Sequence, residues 1–261
     1  MPKTDGFLHG VPCWVDLLAT DLDAAKDFYV GLFGWEWVGV EMPRGGTYWM
    51  GTISGETVAG LAAQTPQLVA QGIPSMWNTY ISVESANDTT AKAQAAGATV
   101  IQGPMDIPDA GRMAFIADPV GAAFGIWQAG EHKGAGFVKE HGTLIWSEVY
   151  AADTEAAVAF YGEVFGWERG SMPMPGGGSY TTFKLGNELV GGTMSPPMEQ
   201  VPPHWHVWFG SNDTEATVAT AAELGATVLV EPTESPVGMI ASLHDPVGAA
   251  FSVITLTQYV Q

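Results

Sequence analysis

Trp14 to Trp35 reads WVDLLATDLDAAKDFYVGLFGW, and Trp146 to Trp167 reads WSEVYAADTEAAVAFYGEVFGW. Trp14, Phe28, Tyr29, Phe33, Gly34 and Trp35 return as Trp146, Phe160, Tyr161, Phe165, Gly166 and Trp167 at one constant offset. Self-similarity at a fixed, long period means that two copies of one unit build the chain. Inside each copy the hydrophobic period changes. Alternation up to Ala19 or Ala151 is that of a strand, whereas Leu22, Ala25, Phe28, Tyr29 and Leu32 mark one face of a helix. Asp21 and Asp153 stand at the change, where a carboxylate accepts from the unpaired N–H groups that open a helix.

A second repeat is interleaved with the first. Ser85 to Val100 (SANDTTAKAQAAGATV) shares its pattern with Asp213 to Val228 (DTEATVATAAELGATV), and DPVGAAF occurs at both Asp118–Phe124 and Asp245–Phe251. The chain therefore alternates two module types, each offering a strand, a helix and two or three further strands. In the first type, MPRGGTY (Met42–Tyr48) and MPGGGSY (Met174–Tyr180) are glycine turns of hairpins. Neither lies between a strand and a helix start, as a phosphate-cradling loop must. Strands follow at Tyr48–Ile53 and Val58–Ala62, and at Tyr180–Leu185 and Val190–Met194. In the second type the helix closes on Gly97 or Gly225, placed as residues just past the last turn. Strands follow at Thr99–Gln102 and Met113–Ala117, with counterparts at Thr227–Val230 and Met239–Leu243, before DPVG turns whose aspartates brace their own loops. Gln64–Ser75 and Ser195–Pro203 read as proline-containing links, and Ala129–Gly142 as a joint between a first domain, 1–134, and a second, 135–261.

With 28 acidic against 9 basic residues, the chain carries a formal charge of −19 over 261 residues. Such a field repels phosphate backbones and anionic headgroups, which argues against nucleic acid and membrane surfaces as partners. Cys13 is the single cysteine, so an internal disulfide and multi-cysteine metal sites are excluded, and the thiol reads as a small core residue. No apolar run has the length of a signal peptide or membrane span, and a cytoplasmic location is expected. Two cups within one chain mean that a monomer would suffice, with a homodimer as the alternative.

Four βαβββ modules, a DPxG turn before the last strand and an AxxFY helix followed by FGW resemble the vicinal oxygen chelate superfamily. That group includes glyoxalase I, bleomycin-resistance proteins and extradiol dioxygenases. The resemblance spans about Val11 to Thr255 and is similar more narrowly to two-domain actinobacterial glyoxalase-like proteins often labelled hydroxylases. It implies an α+β fold in which paired modules curl eight strands into a cup that holds a small molecule. The sequence leaves open whether modules pair first with second and third with fourth, or first with fourth and second with third.

Alternation then sorts the cup lining. Val15, Leu17 and Ala19 would back the helix and leave Trp14, Asp16 and Leu18 facing the cup; Trp146, Glu148 and Tyr150 repeat them. Asn78, Tyr80 and Ser82 face inward in the second module, and His204, His206 and Trp208 in the fourth. Trp127 and Arg112 complete the candidate ligand contacts, although for Arg112 tethering an acidic turn such as Asp118 is favoured over meeting an anionic substrate. Metal-dependent members of the family place His, Gln or Glu on first strands and Glu on last strands. Those positions fall here on Trp14, Asn78, Trp146 and His206, and on Gly125 and Ser252. Trp and Gly cannot ligate a cation, so no metal cofactor is expected; His204, His206 and Glu148 form the one alternative set. Without a metal, Asp16 and Glu148 are the candidate bases, with His204 or His206 as complementary acid or base. The expectation is metal-independent lyase or isomerase chemistry on a small carbonyl or aromatic metabolite. The alternatives are a non-catalytic small-molecule binding or resistance protein, and a metal-dependent dioxygenase or glyoxalase.

Overall fold

The computed structural model describes residues 3–42, 45–174, 177–196 and 200–257. Pro43 and Arg44 of the first glycine turn, Pro175 and Gly176 of the second, and residues 197–199 of the second link lie outside them. In the first half the order is β1 (Pro12–Ala19), α1 (Leu22–Phe33), β2 (Glu36–Glu41), β3 (Thr47–Ile53), β4 (Glu56–Ala63), α2 (Pro66–Ala70), β5 (Met76–Ser82), α3 (Ala86–Ala95), β6 (Thr99–Ile107), β7 (Gly111–Ala117) and β8 (Ala123–Ala129). The second half runs β9 (Leu144–Tyr150), α4 (Thr154–Phe165), β10 (Glu168–Pro173), β11 (Ser179–Leu185), β12 (Glu188–Met194), β13 (His204–Gly210), α5 (Thr214–Glu223), β14 (Thr227–Ser235), β15 (Gly238–His244) and β16 (Ala250–Leu256). No described helix is long and apolar enough to cross a membrane.

Local chemistry sets the element ends. Asp21 accepts from the N–H groups of Asp23 and Ala24, and Asp153 accepts from Ala156 N–H, as helix caps. Gly34 and Gly166 end α1 and α4 in the left-handed region, φ 68° and 74°, which glycine enters without steric cost. Three features differ from the sequence reading. β2 and β10 add a strand after each FGW segment; their mixed, exposed residues lack the alternation that reveals a half-buried strand. β6 and β14 run on to Ile107 and Ser235, carrying Pro104 and Pro232 on sheet-edge strands, where a missing N–H is tolerated. The first proline link holds the short helix α2, capped by the Thr65 hydroxyl and opened by Pro66.

The strands form two eight-stranded mixed sheets, β2-β3-β4-β1-β5-β8-β7-β6 and β10-β11-β12-β9-β13-β16-β15-β14. Modules thus pair first with second and third with fourth within the sheets. The apolar cores pair them the other way. Phe28, Tyr29 and Phe33 of α1 lie in one core with Val207 and Phe209 of β13 and Phe251 of β16. Phe160, Tyr161 and Phe165 of α4 share another with Ile81 of β5 and Phe124 of β8. Buried polar braces follow the same crossed plan. Tyr29 donates to Asp245 Oδ2 at 2.9 Å and Tyr161 to Asp118 Oδ2 at 2.8 Å, so each helix tyrosine holds the DPVG turn of the opposite half. Trp77 and Trp205 in turn donate to those tyrosine oxygens at 3.0 and 2.8 Å. The same aspartates also brace their own turns through the N–H groups of Ala122 and Ala249. With backs and helices committed to these cores, the opposite sheet faces remain to form the cups.

Candidate functional site

Asp16 sits at the middle of β1 on the cup face and is 4% exposed. Its Oδ1 accepts from Asn78 Nδ2 at 2.8 Å, and its Oδ2 from Tyr80 and Tyr48 hydroxyls at 2.9 and 3.1 Å. Trp14 Nε1 donates to the Tyr48 oxygen at 2.9 Å, completing an ordered chain from indole to phenol to carboxylate. Burial raises the Asp16 carboxyl above its ordinary range, opposed by the bonds from Asn78, Tyr80 and Tyr48.

The second cup repeats this frame with different substituents. Glu148, 3% exposed on β9, accepts from Tyr180 at 2.6 Å and from Trp208 Nε1 at 2.9 Å. Trp146 Nε1 donates to the Tyr180 oxygen at 2.9 Å. Burial again raises the carboxyl, while hydrogen bonds from Tyr180, Trp208 and Tyr150 act against it. His206, paired in register with Glu148, points Nε2 at Ser252 Oγ at 2.7 Å, and Ser252 Oγ meets Ser242 Oγ at 2.7 Å. Tyr150 stacks on the His206 ring, with centroids 5.3 Å apart, and burial pushes the imidazole down to about 3. His204 donates from Nδ1 to the Pro202 carbonyl at 2.9 Å and is also lowered by burial.

Tyr48 and Tyr180 are the members that the sequence reading missed. They occupy equivalent places in the two repeats, and each lies over a mid-strand glycine. A Cβ on Gly60 would stand 1.9 Å from the Tyr48 hydroxyl oxygen, and one on Gly192 would stand 2.1 Å from that of Tyr180. An isolated glycine inside a strand pattern signals such a close approach, so these tyrosines were findable.

The cups differ in how far they are filled. In the first, Trp14, Tyr80 and Trp127 are buried in a cluster with Cys13 and Ala135, and the partly buried Phe7, Val138, Ile107 and Phe115 pack against it. The His132 ring meets Trp14 edge-on at 4.5 Å, and Trp127 Nε1 donates to the His132 carbonyl at 2.9 Å. The joint between the halves thus closes over this cup, with Ala135 N–H bonded to the Cys13 carbonyl. In the second cup, Trp146, Tyr150, His204 and Trp208 keep partial exposure among the described residues.

The inward placement of Trp14, Asp16, Asn78, Tyr80, Trp146, Glu148, Tyr150, His206 and Trp208 agrees with the alternation. Two proposed contacts need correction. Arg112 lies on the opposite face of β7, beside α3, because Met113 and Phe115 take the cup side. It donates to Asp106 Oδ1 at 2.5 Å and to Asn87 Oδ1 at 3.2 Å, and it does not tether Asp118. Trp127 is inward, but its N–H is already engaged by the joint.

The family's divalent metal does not fit the residues present. The last-strand position of the first half is Gly125, where a Cβ would come 2.1 Å from the Tyr80 ring, so that ring fills the space a ligating side chain needs. In the second half both Glu148 oxygens accept from neutral donors, and His206 Nε2 is bonded to Ser252. Among the described residues, no three His, Cys, Asp or Glu groups converge as a cation site. His204, His206 and Glu148 therefore do not assemble into the alternative ligand set.

Residues 13–126 match the model of the glyoxalase/bleomycin resistance protein/dioxygenase superfamily, and 146–254 match that of a glyoxalase-like domain. A protein of Mycobacterium tuberculosis named "Putative glyoxylase CFP32" is 47% identical, over 97% of this chain and 98% of its own length. The chain belongs to this superfamily. The anthracycline biosynthesis protein DnrV of Streptomyces peucetius is 36% identical, over 97% of this chain and 95% of its own. Among solved structures, the 2,3-dioxygenase LapB from Pseudomonas sp. KL28 superposes with a TM-score of 0.67 at 15% identity, covering 95% of this chain and 93% of that one. The Mn(II)-bound glyoxalase from Novosphingobium aromaticivorans gives 0.63 at 15% identity, covering 97% and 86%. At such identities the likeness establishes the fold and leaves chemistry to the site.

Proposed function

We propose that the chain takes a small carbonyl-bearing or aromatic metabolite into the second cup and carries out metal-independent lyase or isomerase chemistry there, with Glu148 as proton acceptor. The observation that carries this reading is the placement of Glu148: a buried carboxylate, held only by neutral donors, on the floor of a cup whose aromatic rim is partly exposed. Burial without a cationic partner strengthens a carboxylate as a base. The relatives' names suit a ligand of this class, one being named a glyoxylase and another for anthracycline biosynthesis. Asp16, the equal candidate from sequence, braces a closed cup in this reading.

Turnover of a panel of 2-oxoaldehydes and aromatic ketones is the test. Glu148→Gln should lower kcat by roughly a hundredfold or more while the fold persists, and unchanged kinetics would sink the assignment. Because burial raises Glu148, activity should increase with pH through a midpoint above the ordinary glutamate value.

A second reading has its own support. Each Glu148 oxygen already accepts a hydrogen bond, as those of Asp16 do in the closed cup, which suits a structural acid beneath a binding platform. On that reading tryptophan fluorescence is quenched by a planar ligand that is recovered intact. Recovery of a converted product rules it out.

A further inference from the structure

The polar chain His206–Ser252–Ser242 crosses the floor of the second cup and has one loose end at either side. Ala241 and Leu243 of β15 point into the apolar core, so Ser242 between them points into the cup, where it is partly exposed. Ser252 of β16 is fully buried and bonds His206 Nε2 on one side and Ser242 Oγ on the other, each at 2.7 Å. His206 Nδ1 is buried and has no hydrogen-bond partner among the described residues.

That unpaired atom fixes the direction of the chain. A buried N–H left without an acceptor costs the full loss of its hydration and is rare in folded proteins. The arrangement that avoids it puts the proton of the neutral ring on Nε2 and leaves only a lone pair on Nδ1. His206 Nε2 then donates to Ser252, and Ser252, with a single hydroxyl hydrogen, donates to Ser242. The Ser242 hydrogen is left over, and the one direction open to it is the cup. The opposite polarity would point the Ser242 lone pairs at the ligand and bury an orphaned Nδ1–H.

We propose that Ser242 is a specificity-determining hydrogen-bond donor of the second cup, oriented through Ser252 by His206, and that it selects ligands carrying a carbonyl or other acceptor oxygen over hydrocarbons of the same shape. This rests on the second cup being the ligand site, but not on Glu148 acting as a base. The chain lies where the family's metal ligands would fall, and a fixed hydroxyl donor meets the same class of ligand oxygen without a cation.

Two measurements test it on the full chain. In 15N-detected NMR of histidine-labelled protein at neutral pH, His206 should be the Nε2–H tautomer, and Ser252→Ala should shift that resonance. An Nδ1–H tautomer would overturn the chain's direction. In calorimetry with 2-acetonaphthone and 2-ethylnaphthalene, wild type should favour the ketone by roughly fivefold, the worth of about one hydrogen bond, and Ser242→Ala should erase the preference. Equal affinities in wild type, binding of neither probe, or a preference that survives Ser242→Ala in a folded variant would each overturn the proposal. If the ketone preference holds while Glu148→Gln leaves turnover intact, the base assignment fails and Ser242 stands.

Discussion

The two cups of this chain repeat one pattern and differ in the residues that fill and cover it. Both keep an acid at the centre of the opening strand, a tyrosine lying over a glycine, and a tryptophan that orients the tyrosine. Around that shared frame Asn78 is replaced by His206, Tyr80 by Trp208 and Gly125 by Ser252. Phe7, His132 and the joint between the halves then pack over Trp14 and Trp127 of the first cup, leaving Tyr48, Met50 and Phe115 partly exposed there, whereas in the second cup Trp146, Tyr150, His204 and Trp208 are the partly exposed groups. The lesson is that an inward carboxylate is not by itself a catalytic sign. In the proposed reading the same hydrogen-bonded acid serves as a brace where its cup is covered and as a base where it is not.

Refilling the lost metal position should break the first cup outright. Gly125→Glu drives a side chain into the Tyr80 ring, and a loss of about 3 kcal/mol in urea unfolding is expected, with no gain in metal binding. Removing the bracing hydroxyls comes next in size. Tyr48→Phe and Tyr180→Phe should each cost about 1–3 kcal/mol, since Trp14 or Trp146 loses its acceptor and a buried acid loses a donor. Only Tyr180→Phe should also move the pH midpoint of activity, upward, because the lost bond is one that lowers Glu148. A midpoint that moves with Tyr48→Phe instead would reverse the roles given to the cups.

A pH-dependent effect concerns the braces that the two halves exchange. Asp245 is raised from an ordinary 3.8 to about 6, chiefly by burial, with the Tyr29 hydroxyl among the bonds opposing the rise. The folded protein therefore keeps a proton that the unfolded chain has already released. Its stabilising contribution is full below about pH 4 and is lost as the pH rises to about 6. Wild-type stability measured relative to Asp245→Asn should fall across that window and level off above it.

How much of this was legible follows from what each signal depends on. The repeat, the strand-to-helix switch and the sorting of Trp14, Asp16 and Val15 depend only on spacing along one segment, and the sequence carries them. Arg112 was misplaced because the register of a strand that follows a turn decides which face it takes, and a single residue of slip reverses it. Tyr48 and Tyr180 act across strands, and their trace, the glycines at 60 and 192, lies in a different segment from the tyrosines themselves. The crossed cores were undecidable from spacing, since either pairing of modules buries the same apolar faces. The filling of the first cup is a tertiary fact about the joint, and nothing in the composition of residues 129–142 announces it.

The division of labour between the cups is tested most directly by making Asp16→Asn and Glu148→Gln in parallel and measuring, for each, the thermal midpoint and the turnover of the same ketone or 2-oxoaldehyde. Asp16→Asn should lower the midpoint by several degrees and leave kcat within about twofold of wild type, because a hydrogen-bonded brace of the closed cup is lost. Glu148→Gln should do the reverse, abolishing turnover with a smaller change in midpoint. Loss of turnover in Asp16→Asn with full activity in Glu148→Gln would contradict the account.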